Sequence, residues 1–246
     1  MSAPDLEPSP IGRMPLASLT WDAQPARAGV VVLVLHGGAI EGREPNHPWS
    51  HNVARLVPFG LALKRVPGPI AVARLRFRYR GWNGDEQSPV VDTRWALAQL
   101  RARYPDAPIA LVGHSMGGRA AMYAADEPGV RLVLGLAPWI EEGDPRPENG
   151  QRTVIIHGDR DVICPLWASR RTVEALHAGG HTASLVRVAR SDHAMLVRGL
   201  LWQALVSDVV ASAFATELGG SGEPRSGPIG AAVARVVRER RPIIDI

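Results

Sequence analysis

The feature that most constrains the fold is an unbroken run of six apolar residues, Val30 to Leu35, four of which are valine. β-Branched side chains favour strands, and a strand with no polar position must be covered on both faces. Strands of this kind are typical of parallel sheets. The run stops at His36-Gly37-Gly38, where the glycines indicate a turn. The segment therefore predicts a buried strand of a parallel sheet.

Further apolar runs alternate with segments of helical spacing along the rest of the chain. Strands are predicted at 70–79, 109–112, 130–136, 154–157 and 183–188. Helices are predicted at 47–66, 90–104, 118–125, 165–177 and 193–218, the first of them broken or kinked by Pro58 and Gly60. Right-handed crossovers between parallel strands give the α/β class, with a mostly parallel central sheet and helices on both faces.

The length of 246 residues is compatible with a single α/β domain. We expect an N-terminal extension at 1–28, in which 16–21 is one extra strand, a domain at 29–218, and a linker with a C-terminal helix at 219–246. The linker is indicated by the Gly, Ser and Pro content of 219–227. For the C-terminal helix three alternatives stay open: it docks on the domain, it mediates self-association, or it is mobile.

Composition argues against several partners. The formal charge is +4, but the basic residues are scattered except at Arg235 to Arg241, where a solvated helix face explains them, so we expect no nucleic-acid partner. No apolar run approaches the ~18 residues of a membrane span, and the first ten residues do not form a secretory signal. The single cysteine, Cys164, cannot form an intramolecular disulfide. We expect a cytoplasmic protein without a membrane partner, and its oligomeric state stays open.

The residues that carry chemistry begin with Gly-His-Ser-Met-Gly at 113–117, which fits Gly-x-Ser-x-Gly. The string alone is a weak motif, but here it directly follows a short apolar strand and directly precedes a helix. A sharp turn at that place strains Ser115 and exposes its Oγ atom. The helix N-terminus and the backbone N–H of Met116 then suit a developing oxyanion. The alternative is a glycine-rich turn with a capping serine.

A serine hydroxyl becomes a nucleophile only when a base removes its proton, so this hypothesis requires a histidine that is held by a carboxylate. His193 follows the strand predicted at 183–188 and therefore lies at the same sheet edge as Ser115. Asp161 follows the strand predicted at 154–157. The three residues occur in the order Ser, Asp, His.

Two other aspartates compete with Asp161 for the role of orienting the base. Asp159 lies earlier in the same loop, and Asp161 is favoured because two further residues carry it away from the strand toward His193. Asp192 is adjacent to the base and therefore badly placed to reach its Nδ1 atom. We predict a triad of Ser115, His193 and Asp161.

A second oxyanion donor is expected in the glycine-bearing turn that follows the first core strand. The backbone N–H of Gly38 or of Ala39 would face the site, although a Gly-Gly pair after a strand is also an ordinary turn. Two tryptophans, Trp82 and Trp139, lie in loops at carboxyl ends of strands. Either could form an apolar substrate pocket, or could instead stabilise its own loop.

Together these motifs resemble the α/β-hydrolase superfamily over roughly Val30 to Phe214. The matching stretches occur in that family's order: HGGA at 36–39, GHSMGG at 113–118, HGDRDVICP at 157–165 and SDHAM at 191–195. The resemblance implies hydrolysis through an acyl-enzyme. It matches Ser115, Asp161 and His193 to the family's triad, and Met116 and Gly38 to its oxyanion positions.

The chain departs from the family pattern where many members insert a helical cap. Only Ala137 to Thr153, rich in proline and acidic residues, fills that place, so we expect an α/β-hydrolase fold with a minimal cap and a lightly covered pocket. The expected function is hydrolysis of a small-molecule carboxylic ester. Alternatives are a thioesterase or an amidase or peptidase on the same triad, and a catalytically inactive binding protein of the same fold. We expect no cofactor and no metal, since no set of ligand residues has metal-site spacing.

Overall fold

A computed structural model describes residues 16–220, 227–237 and 241–246. Eight strands form one sheet with the order β1-β3-β2-β4-β5-β6-β7-β8. Only β1 runs antiparallel to its neighbour, β3, and every other pair is parallel. The strands are β1 Ser18–Ala23, β2 Val30–Leu35, β3 Ile70–Arg76, β4 Ile109–His114, β5 Val130–Leu136, β6 Arg152–Gly158, β7 Ala183–Val188 and β8 Ile243–Asp245.

Helices connect the parallel strands, as the crossover rule requires. Within the described residues they are α1 His51–Ala54, α2 Val57–Leu63, α3 Ser88–Arg103, α4 Met116–Tyr123, α5 Leu166–Ala178, α6 Gly199–Ala213 and α7 Pro228–Val237. The helix expected at 47–66 is divided into α1 and α2, and Pro58 lies in the first turn of α2, where a missing N–H costs nothing.

Alternate side chains of β2 enter two separate apolar cores, one on each face of the sheet. The first core contains Val30, Val32 and Val34, covered by α2, α6 and α7. The second core contains side chains of α3, α4 and α5. The predicted class, a mostly parallel sheet with helices on both faces, is confirmed.

The strand order alone indicates where a binding site is expected. From β2 the chain crosses to β3 on one side, and then returns to β4 on the other side of β2. Loops that leave β2 and β4 therefore diverge at their carboxyl ends and open a crevice there, which is where ligands bind in open α/β sheets. The loop that starts at His36 and the turn at Ser115 border this crevice.

The sheet extends beyond both boundaries predicted for the central domain. β1 pairs with β3 on one side, and β8 pairs with β7 on the other. The C-terminal helix docks on the domain, because α7 packs against α6 and contributes to the first core. Residues 1–15 of the predicted extension, and 221–226 and 238–240 of the C-terminal segment, lie outside the described residues. No helix in the described ranges is long and apolar enough to cross a membrane.

The prediction that the last long helix begins near His193 and reaches about 218 is wrong, because α6 starts at Gly199 and ends at Ala213. Residues 192–195 instead form a turn in which the backbone N–H of Met195 donates to Asp192. Met195 has a φ of 61°, a left-handed conformation that no helix continues. His193 consequently lies in a loop.

Docking of α7 should contribute measurably to stability. Val236 is almost fully buried in the first core, so Val236→Ala should lower the free energy of unfolding by about 2 kcal/mol through lost burial and a residual cavity. Urea denaturation measures this, with the same change at the exposed Val91 as control. Equal stability of the two variants would contradict the described docking.

Candidate active site

Ser115 occupies a strained turn between β4 and α4. Its φ of 53° and ψ of −120° lie outside the regions that non-glycine residues ordinarily adopt, a feature that recurs at functional sites. The turn is packed tightly against β2, since a Cβ atom added to Gly117 would lie 2.5 Å from the carbonyl oxygens of both Leu35 and His36. The backbone N–H of Ser115 donates to the Leu136 carbonyl at 3.0 Å. Neighbouring backbone thus fixes the position of this serine.

The structure brings Ser115, His193 and Asp161 into one hydrogen-bonded chain. The Nε2 atom of His193 lies 3.1 Å from Ser115 Oγ, and its Nδ1 atom lies 2.8 Å from Asp161 Oδ2. Asp159 is exposed, whereas the Asp161 side chain is fully buried. Asp192 uses Oδ1 to accept the Met195 N–H. The geometry therefore places Asp161, among the three aspartates considered, against the histidine.

The buried carboxylate of Asp161 is held in its charged form. Its Oδ1 atom accepts the backbone N–H groups of Ile163 at 2.9 Å and Cys164 at 2.8 Å. Its Oδ2 atom faces both His193 and His157. Burial by itself would raise the pKa of Asp161, but hydrogen bonds from His157, His193 and the Cys164 backbone outweigh it and hold that pKa well below its usual range.

His114 supports the loop that carries His193. Its Nε2 atom lies 3.0 Å from the His193 carbonyl oxygen, and because a carbonyl only accepts, Nε2 is the nitrogen that donates. Burial, with a smaller contribution from the nearby His193, lowers the pKa of His114 to about 3. His114 is therefore neutral near pH 7 and packs beside the turn at Ser115.

The loop after β2 offers one of the two expected oxyanion donors. The expectation for Ala39 is wrong, because its backbone N–H already donates to the Arg80 carbonyl at 2.9 Å. The N–H groups of Gly38 and Met116 make no hydrogen bond within the described part of the chain. A Cβ atom on Gly38 would overlap the Met116 side chain and the Arg80 carbonyl, so the two segments pack closely. Gly38 and Met116 remain the candidate donors.

Comparison with known proteins rests on structure, since no family model and no curated sequence matches this chain. XC6422 of Xanthomonas campestris, described as an α/β serine hydrolase without lid, is 21% identical over 77% of this chain and 85% of that one, with a TM-score of 0.58. ATU1826 of Agrobacterium tumefaciens, described as a putative α/β hydrolase, is 20% identical over 81% and 92%, with a TM-score of 0.61. The chain has the α/β-hydrolase fold.

A third similar structure is Est1E of Butyrivibrio proteoclasticus with ferulic acid bound. It is 17% identical over 81% of this chain and 95% of that one, with a TM-score of 0.58. These similarities extend over most of both chains in each pair. They support the assignment of the α/β-hydrolase fold.

In place of a helical cap, this hydrolase fold has the loop 137–151, which is anchored by Arg119 of α4. The Arg119 guanidinium lies over the rings of both Trp82 and Trp139, 4.3 Å from each ring centre. It also forms ion pairs at 2.7 Å with Asp144 and Glu141 of the loop. Cation–π contacts and paired, buried charge both favour this arrangement. The loop 137–151 is thereby fixed to α4, the helix that directly follows Ser115.

The two candidate pocket tryptophans belong to this one cluster. Trp82 is almost fully buried, and its backbone pairs with Ala39, so its contacts match the alternative in which it stabilises its own loop. Trp139 is partly exposed, and its backbone N–H donates to the Ser115 carbonyl at 3.1 Å. Of the two, only Trp139 adjoins the nucleophile directly, and it stays a candidate for substrate contact.

Sequence reasoning missed three residues that build the site. The sequence places His157 only at the end of a strand, although its position four residues before Asp161 could have indicated a contact with that carboxylate. Ser169 and Arg119 carried no such signal, because one is an ordinary helix serine and the other an ordinary helix arginine. Their partners come from β6 and from the loop after β5, respectively, and only the folded chain brings them together.

The close packing of the nucleophile turn generates a prediction for glycine replacement. Gly117→Ala should lower the free energy of unfolding by about 1–3 kcal/mol, because the new methyl group would overlap two backbone carbonyl oxygens. Unlike a side chain, these oxygens cannot turn to another rotamer. Gly199→Ala is the matched control, since its methyl group would meet only the Gln203 side chain at 3.8 Å. Thermal or urea denaturation that showed the same stability for both variants would refute the described contact.

Proposed function

We propose that this chain is a serine hydrolase that cleaves a carboxylic ester through an acyl-enzyme intermediate. The observation that carries the proposal is the chain of two hydrogen bonds, at 3.1 and 2.8 Å, from Ser115 through His193 to Asp161. An arrangement of this kind activates a serine, whatever fold it occurs in. Its location at the carboxyl edge of the sheet, beside two unused backbone N–H groups, adds support.

Acylation follows from the positions of the atoms. Ser115 Oγ attacks the ester carbonyl while His193 Nε2 takes the hydroxyl proton, and Asp161 stabilises the resulting imidazolium through Nδ1. The negative oxygen of the tetrahedral intermediate accepts hydrogen bonds from the N–H groups of Gly38 and Met116. Collapse of the intermediate breaks the bond to the alcohol oxygen, which receives its proton from His193. The acyl group is then bonded to Ser115.

Deacylation repeats these steps with water as the nucleophile. His193 takes a proton from the water, the new tetrahedral intermediate uses the same two N–H donors, and Ser115 Oγ leaves as it regains a proton from His193. The carboxylic acid departs, and the serine hydroxyl is restored. Asp161 stays ionised throughout, consistent with a pKa held below its usual range by hydrogen bonds to its buried carboxylate.

Exposed apolar side chains around the triad favour a substrate with an apolar group. Val162 and Ile163, which follow Asp161, are 91% and 68% exposed, and Leu196 and Val197, which follow His193, are each 71% exposed. Large apolar side chains are unfavourable in water unless something covers them. Leu196 and Val197 line a groove of about 560 Å³ that is formed by the loop after His193 together with residues of α2 and α6. An acyl or alkyl chain of the ester would cover this surface.

The triad assignment predicts a sharp contrast between two neighbouring aspartates. With p-nitrophenyl butyrate, Ser115→Ala, His193→Ala and Asp161→Ala should each lower kcat by about 10⁴- to 10⁶-fold. Asp159→Ala, in the same loop but exposed, should stay within about twofold of the unchanged protein. Steady-state kinetics on folded variants checks this. Equal losses at Asp159 and Asp161, or an active Ser115→Ala variant, would disprove the assignment.

The exposed apolar side chains near Asp161 and His193 predict a preference among esters. We expect kcat/KM to be higher for p-nitrophenyl octanoate than for the acetate, because the longer chain covers the exposed side chains, by up to about 10-fold. Leu196→Asp should remove most of that preference. Trp95→Asp, at an exposed apolar position on α3, serves as control and should keep it. A preference that survives Leu196→Asp would contradict the assignment of this surface, and no preference in the unchanged protein would argue against this substrate class.

A further inference from the structure

Polar side chains continue the line of contacts past Asp161 into the interior. His157, near the end of β6, places Nε2 3.2 Å from Asp161 Oδ2 and 3.0 Å from the Cys164 carbonyl oxygen. Its Nδ1 atom lies 2.8 Å from the hydroxyl oxygen of Ser169 on α5. The side chains of His157 and Asp161 are fully buried, and so is Ser169. Asp161 takes part in the proposed hydrolysis steps, whereas His157 and Ser169 have no role in them so far.

The surroundings of His157 determine which of its nitrogens carries a proton. The two groups that face Nε2, a carboxylate and a backbone carbonyl, can only accept, so Nε2 donates. The Ser169 hydroxyl can donate to Nδ1, which then needs no proton of its own. The two acceptors at Nε2 thus select the tautomer, and the hydroxyl on α5 supports it by donating to Nδ1.

His157 also controls the orientation of the Asp161 carboxylate. Two backbone N–H groups of the following residues hold Oδ1, so this oxygen is a pivot. The other oxygen, Oδ2, is shared by His193 and His157. Without the donor at His157, Oδ2 would lose the contact that holds it from the side of β6, and the carboxylate could turn about Oδ1 away from His193.

We infer that His157 is a positioning residue for Asp161 in the proposed serine hydrolase, and that Ser169 supports the tautomer in which His157 acts. The line of polar contacts then has five members in the order Ser169, His157, Asp161, His193 and Ser115. His157 is fully buried, so it cannot touch substrate. Its effect must therefore appear in kcat and leave KM unchanged.

The first test replaces the donor and then restores it. His157→Leu should lower kcat by about 10- to 100-fold at unchanged KM, the size of effect seen when supporting partners of a site are removed. His157→Gln should recover most of kcat, because its amide can donate from nearly the same place as Nε2. Ser169→Ala should lower kcat less than His157→Leu does. Thr172→Ala, which removes another buried hydroxyl of α5, should leave kcat within about twofold.

A double-mutant cycle separates positioning from packing. In an Asp161→Ala background, His157→Leu should cause no further loss of residual activity, because its effect passes through the carboxylate. Equal losses in both backgrounds would overturn the inference, and so would a His157→Leu variant with full kcat. If His157→Leu does not fold, the Ser169→Ala variant decides by the same cycle. An unchanged protein with no esterase activity would instead refute the proposed function, and this inference with it.

Discussion

The tight contact between the nucleophile turn and strand β2 is the constraint on which the rest of the site depends. Gly117 packs against the end of β2, and Gly38, in the loop after β2, packs against Met116, so two segments meet at distances that admit no side chain. This contact holds Ser115 in a conformation that it would not adopt alone. It also sets two backbone N–H groups beside the serine without any flexible side chain. The free-energy cost of this geometry is therefore met once, when the chain folds, and not in each catalytic cycle.

A buried negative charge is the second requirement, and it explains why so many groups surround Asp161. An isolated carboxylate in the interior would be strongly unfavourable, and it would protonate instead of orienting a base. Two backbone N–H groups and two imidazoles compensate for the lost water. The neighbouring His114 stays neutral, since its pKa falls to about 3, and so adds no second positive charge beside His193.

Local patterns were predictable, and so was one set of long-range contacts. The apolar run at β2 and the Gly-x-Ser-x-Gly turn follow from strand and turn chemistry. The meeting of Ser115 and Asp161 with His193, which lies 78 and 32 residues away from them in the sequence, followed because each comes after a strand that ends at the same sheet edge. The start of α6 was missed because a left-handed Met195 ends a pattern that looks helical. Ala39 was ruled out as an oxyanion donor only by its pairing with the distant Arg80. The partners of His157 and Arg119 likewise come from other elements.

The measurement that tests the central claim most directly is labelling of the folded protein with a fluorophosphonate, followed by intact mass and peptide mapping. Such a probe reacts with a serine that a neighbouring base has activated, whatever the natural substrate is. The account predicts a single adduct on Ser115 that is absent from the Ser115→Ala and His193→Ala variants. No adduct on folded protein, or an adduct on another serine that persists in the His193→Ala variant, would contradict it.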